Sequence, residues 1–320
     1  MRPSREREQL VKAARMYFVD GLSQQQVAES LGTTRSNVSR ILAAAREQGI
    51  VEIKINEPIQ RAYGLEDELV TRYPAIEARV LANQPRQDVL SEAGQLAANW
   101  LVERLQPDQR VAVSWGGTLQ AMVRAVAAKS MPDVEIVQLV GGLSSLTMHV
   151  SGQELVRELA DRLGCRYRYL HAPALFESDT ALRALLHEPA IATALDAARA
   201  ADIACVGVGV TGVGSSGEIV EALRLNRQER KAFDAAAPVG DICARYFDVN
   251  GREVDTAVHD RVLAVNLDDL RAVPTVLAVA VGAVKGPGIR GALRGRLIDA
   301  RVCDEAAAHA VLSTALPTAG

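Results

Sequence analysis

Six short runs of this 320-residue chain are largely apolar on what would be both faces of a strand: Val111–Trp115, Val134–Val140, Ile203–Val208, Ile242–Phe247, Val262–Asn266 and Thr275–Val281. A strand of that kind cannot face water on either side, so helices must cover it above and below. Stretches with helical spacing do fall between most of the runs: Val89–Leu105, Leu119–Ala128, Gln153–Leu163, Thr180–Ala200 and a last one after Asp304. From residue 75 onward this alternation predicts an α/β domain of Rossmann-like, doubly wound type on a mainly parallel sheet. In such sheets ligands sit beyond the C-terminal ends of the strands.

Several strand ends carry residues suited to an anion or a polyol. Val111–Trp115 runs into Gly116-Gly117-Thr118 and then a helix, so glycine backbone can approach a ligand closely, a helix N-terminus adds partial positive charge, and Thr118 adds a hydroxyl. A plain tight turn is the competing reading. Gly141-Gly142 closes the next run and could line the same crevice. Lys285 follows Gly282 at the mouth of another strand-to-helix loop. The chain uses 31 Arg but only five Lys, which points to a compact ammonium at this position, although a solvated surface lysine fits as well. Asp241, after Pro238-Val239-Gly240, could accept from sugar hydroxyls or simply cap a loop. Gly207-Val208-Gly209-Val210-Thr211-Gly212 fits G-x-G-x-x-G, but Gly214-Ser215-Ser216-Gly217 follows where a dinucleotide fold starts its helix, so no nucleotide cofactor is expected.

The first 50 residues obey a different pattern. Ser4 can cap a helix in which Leu10, Val11, Ala14, Tyr17 and Phe18 recur at helical spacing up to Gly21. Ser23 with Gln26 forms a capping box for a helix of barely two turns, ending at Gly32. Thr34 then caps a third helix with Val38, Ile41, Leu42 and Ala45 on one face, ending at Gly49. A short helix, a tight turn and a second helix form a helix-turn-helix, whose second helix enters a DNA major groove. Its outer face carries Ser36, Ser39, Arg40 and Ala43, flanked by Arg35 and Asn37, with no acid before Glu47. The arginines suit guanine or phosphate and Asn37 suits adenine. A simple packing module with a solvated face is the alternative. Val51, Ile53 and Ile55 alternate as a strand that could form part of a wing, with Lys54 near the DNA backbone.

Charge distribution permits this reading. Residues 1–58 carry nine Lys/Arg against seven Asp/Glu, and the remainder carries 27 against 32, so a slightly basic head precedes an acidic body. Cys165, Cys205, Cys243 and Cys303 form no C-x-x-C pair, and no two of the five histidines lie three or four apart, so buried thiols are expected in place of disulfides or a metal site. The longest near-continuous apolar stretch, Val273–Val284, is about half of the ~20 residues a membrane-spanning helix needs. Met1–Glu8 lacks the apolar core of a signal peptide, and a cytoplasmic protein is expected. Pro58 ends the wing, and Ala62, Leu65 and Leu69 make a narrow seam on the following helix. That seam could pair two subunits or pack back on its own body.

The head residues Tyr17-Phe18, Gly21-Leu22-Ser23-Gln24, Val27-Ala28, Leu31-Gly32, Arg35 to Leu42 and Ala45 to Val51 together resemble the DNA-binding head of the SorC family of sugar-responsive transcriptional regulators. The resemblance continues through Ser114 to Leu119, Val137 to Gly142, Asp202 to Gly209, Val239 to Ile242, Ala292 to Gly295, Asp304-Glu305 and Ala307. It implies a winged helix-turn-helix domain over residues 1–56, a linker helix over 57–74, and a sugar- or phosphosugar-binding and oligomerisation domain over 75–320, related to phosphosugar isomerases. DNA contacts are then expected from Gln24, Arg35, Ser36, Asn37, Ser39 and Arg40. Effector contacts are expected from Gly116, Gly117, Thr118, Gly141, Gly142, Asp241 and Lys285. The implied partners are double-stranded operator DNA, a sugar or sugar-phosphate effector, and further copies of the chain as a dimer or tetramer, with no cofactor. The family often has Gly-Gly before the lysine, where this chain has Val281-Gly282, with Gly286-Pro287-Gly288 after it. Two other readings compete: a sugar-phosphate isomerase or deaminase carrying a targeting module, for which Asp241, Glu218 and His259 are scattered acid/base candidates, and an adaptor that uses the head for packing.

Overall fold

The computed structural model describes residues 5–51, 59–73, 77–85, 88–143 and 151–313. The chain divides into two compact units, Met1–Pro58 and Ile59–Gly320.

The first unit holds α1 (Arg5–Phe18), α2 (Gln24–Leu31) and α3 (Arg35–Glu47). Ser23 Oγ accepts from the Gln26 N–H while Gln26 Oε1 accepts from the Ser23 N–H, so both orphan donors at the start of α2 are satisfied. Gly32 ends α2 in the left-handed region, at φ 62°, and Thr34 caps α3 through the Asn37 N–H. Leu10, Ala13 and Ala14 meet Val27, Ala28, Val38, Leu42 and Ala45 in a small core, with Ile41 partly buried against it. Val11 and Phe18 depart from the expected stripe and lie 47% and 40% exposed, because α1 turns Ala13 inward in their place. Ser4 and the wing residues Ile53, Lys54 and Ile55 lie outside the described residues.

In chain order the second unit comprises α4 (Tyr63–Arg72), β1 (Glu77–Leu81), α5 (Val89–Arg104), β2 (Arg110–Val113), α6 (Gly117–Ala125), β3 (Glu135–Gln138), α7 (Gly152–Leu163) and β4 (Arg166–Arg168). It continues with α8 (Asp179–Leu186), α9 (Pro189–Arg199), β5 (Ile203–Gly207), α10 (Ser215–Ala222), α11 (Arg227–Ala235), β6 (Gly240–Ile242) and β7 (Arg245–Phe247). It ends with α12 (Leu267–Ala272), β8 (Thr275–Val279), α13 (Gly286–Arg294), β9 (Ala300–Asp304) and α14 (Glu305–Leu312). Seven strands form one sheet in the order β1-β9-β8-β5-β2-β3-β4, parallel throughout. One face is covered by α5, α6 and α7, and α4, α9 and α14 help cover the other. From β2 the chain steps outward through β3 to β4, then returns to β5 on the other side of β2. The reversal leaves a crevice beyond the C-terminal ends of β2 and β5, as the rule for open α/β sheets requires.

Both sheet edges are managed. Residues 60–62 run antiparallel to β1, with the Ala62 N–H on Val80 O and the Ala82 N–H on Gln60 O, each at 2.8–2.9 Å. β4 is exposed but short and carries Arg166 and Arg168, charges that oppose pairing with another strand. The α4 seam packs on its own body: Leu69 is fully buried, and Ala62 and Leu65 pack against the same core. Glu66 fastens it, accepting from the Val80 N–H at 2.7 Å and from two nitrogens of Arg61.

Three expected elements take other forms. Ile242–Phe247 is an antiparallel hairpin apart from the main sheet, because Cys243 and Ala244 turn the chain with φ 55° and 61°. Residues 262–266 form no strand and make isolated bridges through Val262 and Ala264. Thr180–Ala200 is two helices, since Pro189 restricts the residue before it and opens α9.

Candidate functional site

Ser36, Ser39, Arg40 and Ala43 are exposed on α3, with Arg35 exposed at its start, so the small hydrogen-bonding face is available. Asn37 differs. It is partly buried, and its Nδ2 donates to Thr33 Oγ1 at 2.9 Å, so its amide is already engaged. Gln24 is partly buried at the first position of α2.

In the second unit the ends of β2, β5 and β8 and the β6–β7 hairpin enclose a crevice of about 240 Å³. That lies below the ~300–1,000 Å³ usual for drug-sized ligands, so it suits a small molecule and not a dinucleotide. Gly116, Gly117, Thr118, Asp241 and Lys285 all line it. Gly116 has φ 121°, a conformation few residues other than glycine adopt, and no side chain caps α6 after it. The first amides of α6 are therefore available to an acceptor in the crevice. Thr118 Oγ1 donates to Val279 O at 2.9 Å, which ties the β2 loop to the end of β8 and commits the hydroxyl proton.

Asp241 and Lys285 are the titratable side chains among the described residues lining the crevice. Asp241 is buried and accepts from Ser216 Oγ and, at 3.1 Å, from the Ala244 N–H. Burial raises its pKa above the ordinary carboxyl value, against the pull of those two donors and of Lys285. Lys285 ends a short 3₁₀ turn, Ala283–Lys285. Burial lowers its pKa, against the opposing charge of Asp241. Both groups give up hydration at the same small space. The loop before Lys285 is anchored by Asp304, whose Oδ1 accepts from the Gly282 N–H at 2.8 Å and from the Ala307 N–H at 3.1 Å.

Gly141 and Gly142 do not join this crevice. A Cβ at Gly141 would stand 2.5 Å from Pro173 O, so glycine is required there by packing. The N–H groups of the pair are spent on Leu263 O and Ala172 O. Glu218 and His259 also stay out of the lining, and His259 Nδ1 lies 2.6 Å from Glu253 Oε1. Gly207, Gly209, Ser215, Trp115 and Leu90 line the crevice without having been singled out for it. The signal was present in Gly207-Val208-Gly209, set aside for its unsuitability to a dinucleotide. The reason given for setting it aside needs correction, since α10 does begin inside the Gly/Ser run, at Ser215.

Residues 57–313 match a family model described as "Putative sugar-binding domain", and residues 6–61 match a Crp-like helix-turn-helix domain. The chain is 31% identical to the deoxyribonucleoside regulator of Bacillus subtilis, over 97% of its own length and 99% of that protein. It is 30% identical to the transcriptional regulator LsrR of Escherichia coli O157:H7, over 96% and 95%. The full-length sorbitol operon regulator SorC from Klebsiella pneumoniae superposes with a TM-score of 0.72 at 29% identity, covering 97% of this chain and 100% of that one.

Gly209 gives a direct test of the crevice geometry. A Cβ there would overlap Asp241 Oδ1 and Ser216 Oγ, both held by the hairpin and α10. Gly209→Ala is expected to displace Asp241, lower the unfolding temperature and abolish stabilisation by any crevice ligand, read by thermal denaturation with and without sugar phosphates. An unchanged melting curve would show that Gly209 does not lie against the Asp241 and Ser216 side chains.

Proposed function

Because this chain belongs to the SorC family of sugar-binding transcriptional regulators, we propose that its crevice holds a phosphorylated sugar whose occupancy controls operator binding by the helix-turn-helix head. The observation that carries this reading is the polarity of the crevice. Lys285 and the uncapped start of α6 offer a cation and backbone donors, while Asp241 offers a buried acceptor, within one 240 Å³ space. A phosphate suits the first set and hydroxyls suit the second. In this reading the crevice binds its ligand and does not turn it over, in keeping with the transcriptional regulators to which the chain is similar.

In this reading Arg35, Ser36, Ser39 and Arg40 meet the major groove, Asn37 joins them after leaving Thr33, and Gln24 contacts the DNA from the start of α2. The head spans residues 1–56, residues 57–74 join it to the body, and the body over 75–320 assembles the chain as a dimer or tetramer in the cytoplasm.

Arg40→Ala should weaken specific DNA binding by roughly 1–3 kcal/mol if Arg40 contacts a base bidentately. An unchanged gel shift on the native operator would remove Arg40 from the interface. Two half-sites a helical turn apart demand two heads held at a fixed spacing, so light scattering of the full chain without DNA should report an oligomer at micromolar concentration. A monomer would count against that.

For the sensor, Lys285→Ala removes a charge-assisted bond of roughly 1.5–3 kcal/mol and should lower affinity for a sugar phosphate by one to two decades, with operator binding retained. Thr118→Val should cost less, because the hydroxyl proton is already committed to Val279 O. Asp241→Asn should weaken phosphorylated and free sugars alike. A lowered lysine pKa means the charge is lost as pH rises through a value below the ordinary 10.5, so affinity for the phosphorylated ligand should fall on that alkaline limb while affinity for a free sugar stays level. Calorimetric titration across pH reads both. A free polyol that binds best with Lys285 dispensable would refute the phosphate assignment.

A further inference from the structure

Asp241 stands on a hairpin too short to keep its own shape, and two β7 side chains tie that hairpin to the body: Tyr246, whose hydroxyl donates to Ser216 O, and Arg245, which makes the larger set of bonds. β6 and β7 have three residues each, and Cys243 and Ala244 between them are left-handed without being glycine or asparagine. A two-stranded ribbon of that length does not stand alone. From β7, Arg245 reaches the irregular segment that follows the short turn His259–Arg261. Its Nη1 donates to His259 O at 2.8 Å, its Nη2 to Val262 O at 3.1 Å and Ala264 O at 3.0 Å, and its Nε to Val265 O at 3.3 Å. Residues 262–265 are buried outside any strand, so these carbonyls have no ladder partners, and the guanidinium supplies the donors that burial demands.

The same segment also grips the chain after β3. The Val265 N–H donates to Leu139 O and the Gly141 N–H donates to Leu263 O, both at 3.0 Å. One guanidinium therefore joins the ribbon carrying Asp241 to the backbone beyond β3. On the other side of the ribbon, Asp241 O accepts from the Gly209 N–H at 2.8 Å and its carboxyl accepts from the Ala244 N–H. The position of the acceptor in the crevice is thus set by Gly209 and Ser216 beside it and by Arg245 outside the lining.

We infer that Arg245 is a positioning residue for effector recognition: it touches no ligand, acts through Asp241, and governs the hydroxyl-binding side of the crevice while leaving the Lys285 side alone. The inference rests on the reading of the crevice given above. A guanidinium that only filled a polar hole would weaken the fold without being coupled to Asp241, and that difference is measurable.

The experiment has two arms on the full-length protein. In the first, without ligand, amide hydrogen exchange is compared between wild type, Arg245→Met and Arg245→Lys. Arg245→Met should speed exchange at Gly209 and Ala244, the amides held by Asp241, with Ala280, which pairs with Val302 beyond β8, unchanged. Arg245→Lys, which keeps the charge with fewer fixed donors, should recover part of the protection and serves if the Met variant does not fold. Equal exchange at Gly209 and Ala244 in wild type and variant overturns the inference whatever the ligand is.

In the second arm, ribose 5-phosphate, fructose 6-phosphate and glucose 6-phosphate are titrated calorimetrically into wild type, Arg245→Met, Asp241→Asn, the double variant and Lys285→Ala combined with Arg245→Met. Arg245→Met should lose about as much affinity as Asp241→Asn, on the order of tenfold, and the double variant no more than the larger single loss. The Lys285→Ala and Arg245→Met losses should simply add. Additive losses between Arg245 and Asp241 overturn the inference. If none of the three sugar phosphates binds wild type, the phosphosugar reading fails, and the exchange arm alone decides for or against Arg245.

Discussion

The crevice exists because three loop backbones approach more closely than any side chain would permit. A Cβ on Gly240 would stand 2.6 Å from Gly209 O and 2.8 Å from the Cα of Gly288, and one on Gly288 would overlap Gly209 O. These glycines follow β5, open β6 and sit in the first turn of α13, so their contact brings the end of one strand, the hairpin and a helix start to a common point. That contact places Asp241 beside Gly209, and the chain before Gly288 carries Lys285 into the lining of the same crevice. The stretch Gly286-Pro287-Gly288 is accounted for in the same way: a Cβ on Gly286 would meet Ala310 Cβ at 2.7 Å. Glycine here is a packing requirement between backbones, and the ligand space is what remains around it.

How much of this could be read beforehand depended on whether a residue's environment was local. β2, β3, β5 and β8 announce themselves because apolar residues alternate with more apolar residues, and nothing but a covered sheet strand tolerates that. β1 and β9 do not, since Arg79, Arg301 and Asp304 interrupt them. Arg79 is buried beside Glu103 and Glu77, Arg301 lies over the Tyr73 ring, and Asp304 anchors the loop before Lys285. Glu103, Tyr73 and the Gly282 loop are distant in sequence, so the charges read as solvent. The β6–β7 turn was hidden for another reason: Cys243-Ala244 carries none of the Asn-Gly chemistry that marks a tight hairpin.

The site itself was legible where function and backbone coincide. Gly116-Gly117-Thr118 and Lys285 were marked by their places after β2 and β8, and Asp241 by the turn before it, and all five line one crevice. Gly141-Gly142 misled because a glycine pair after a strand serves a passing chain as readily as a ligand, and here the passing chain is Pro173. Conversely Gly207 and Gly209 were judged against a dinucleotide motif when the relevant question was which backbone they admit.

The hydrogen bond from Asn37 to Thr33 bears on how the DNA-reading face proposed above would discriminate among sequences. An amide N–H that is already paired gains little by moving to a base, since that one bond is traded for another of similar worth. It loses heavily if it moves to a base edge that cannot answer it. Under the proposed reading Asn37 would contribute to operator recognition chiefly as a veto: on unrelated DNA the side chain would stay folded back, and release would be worthwhile only where an adenine offers donor and acceptor together.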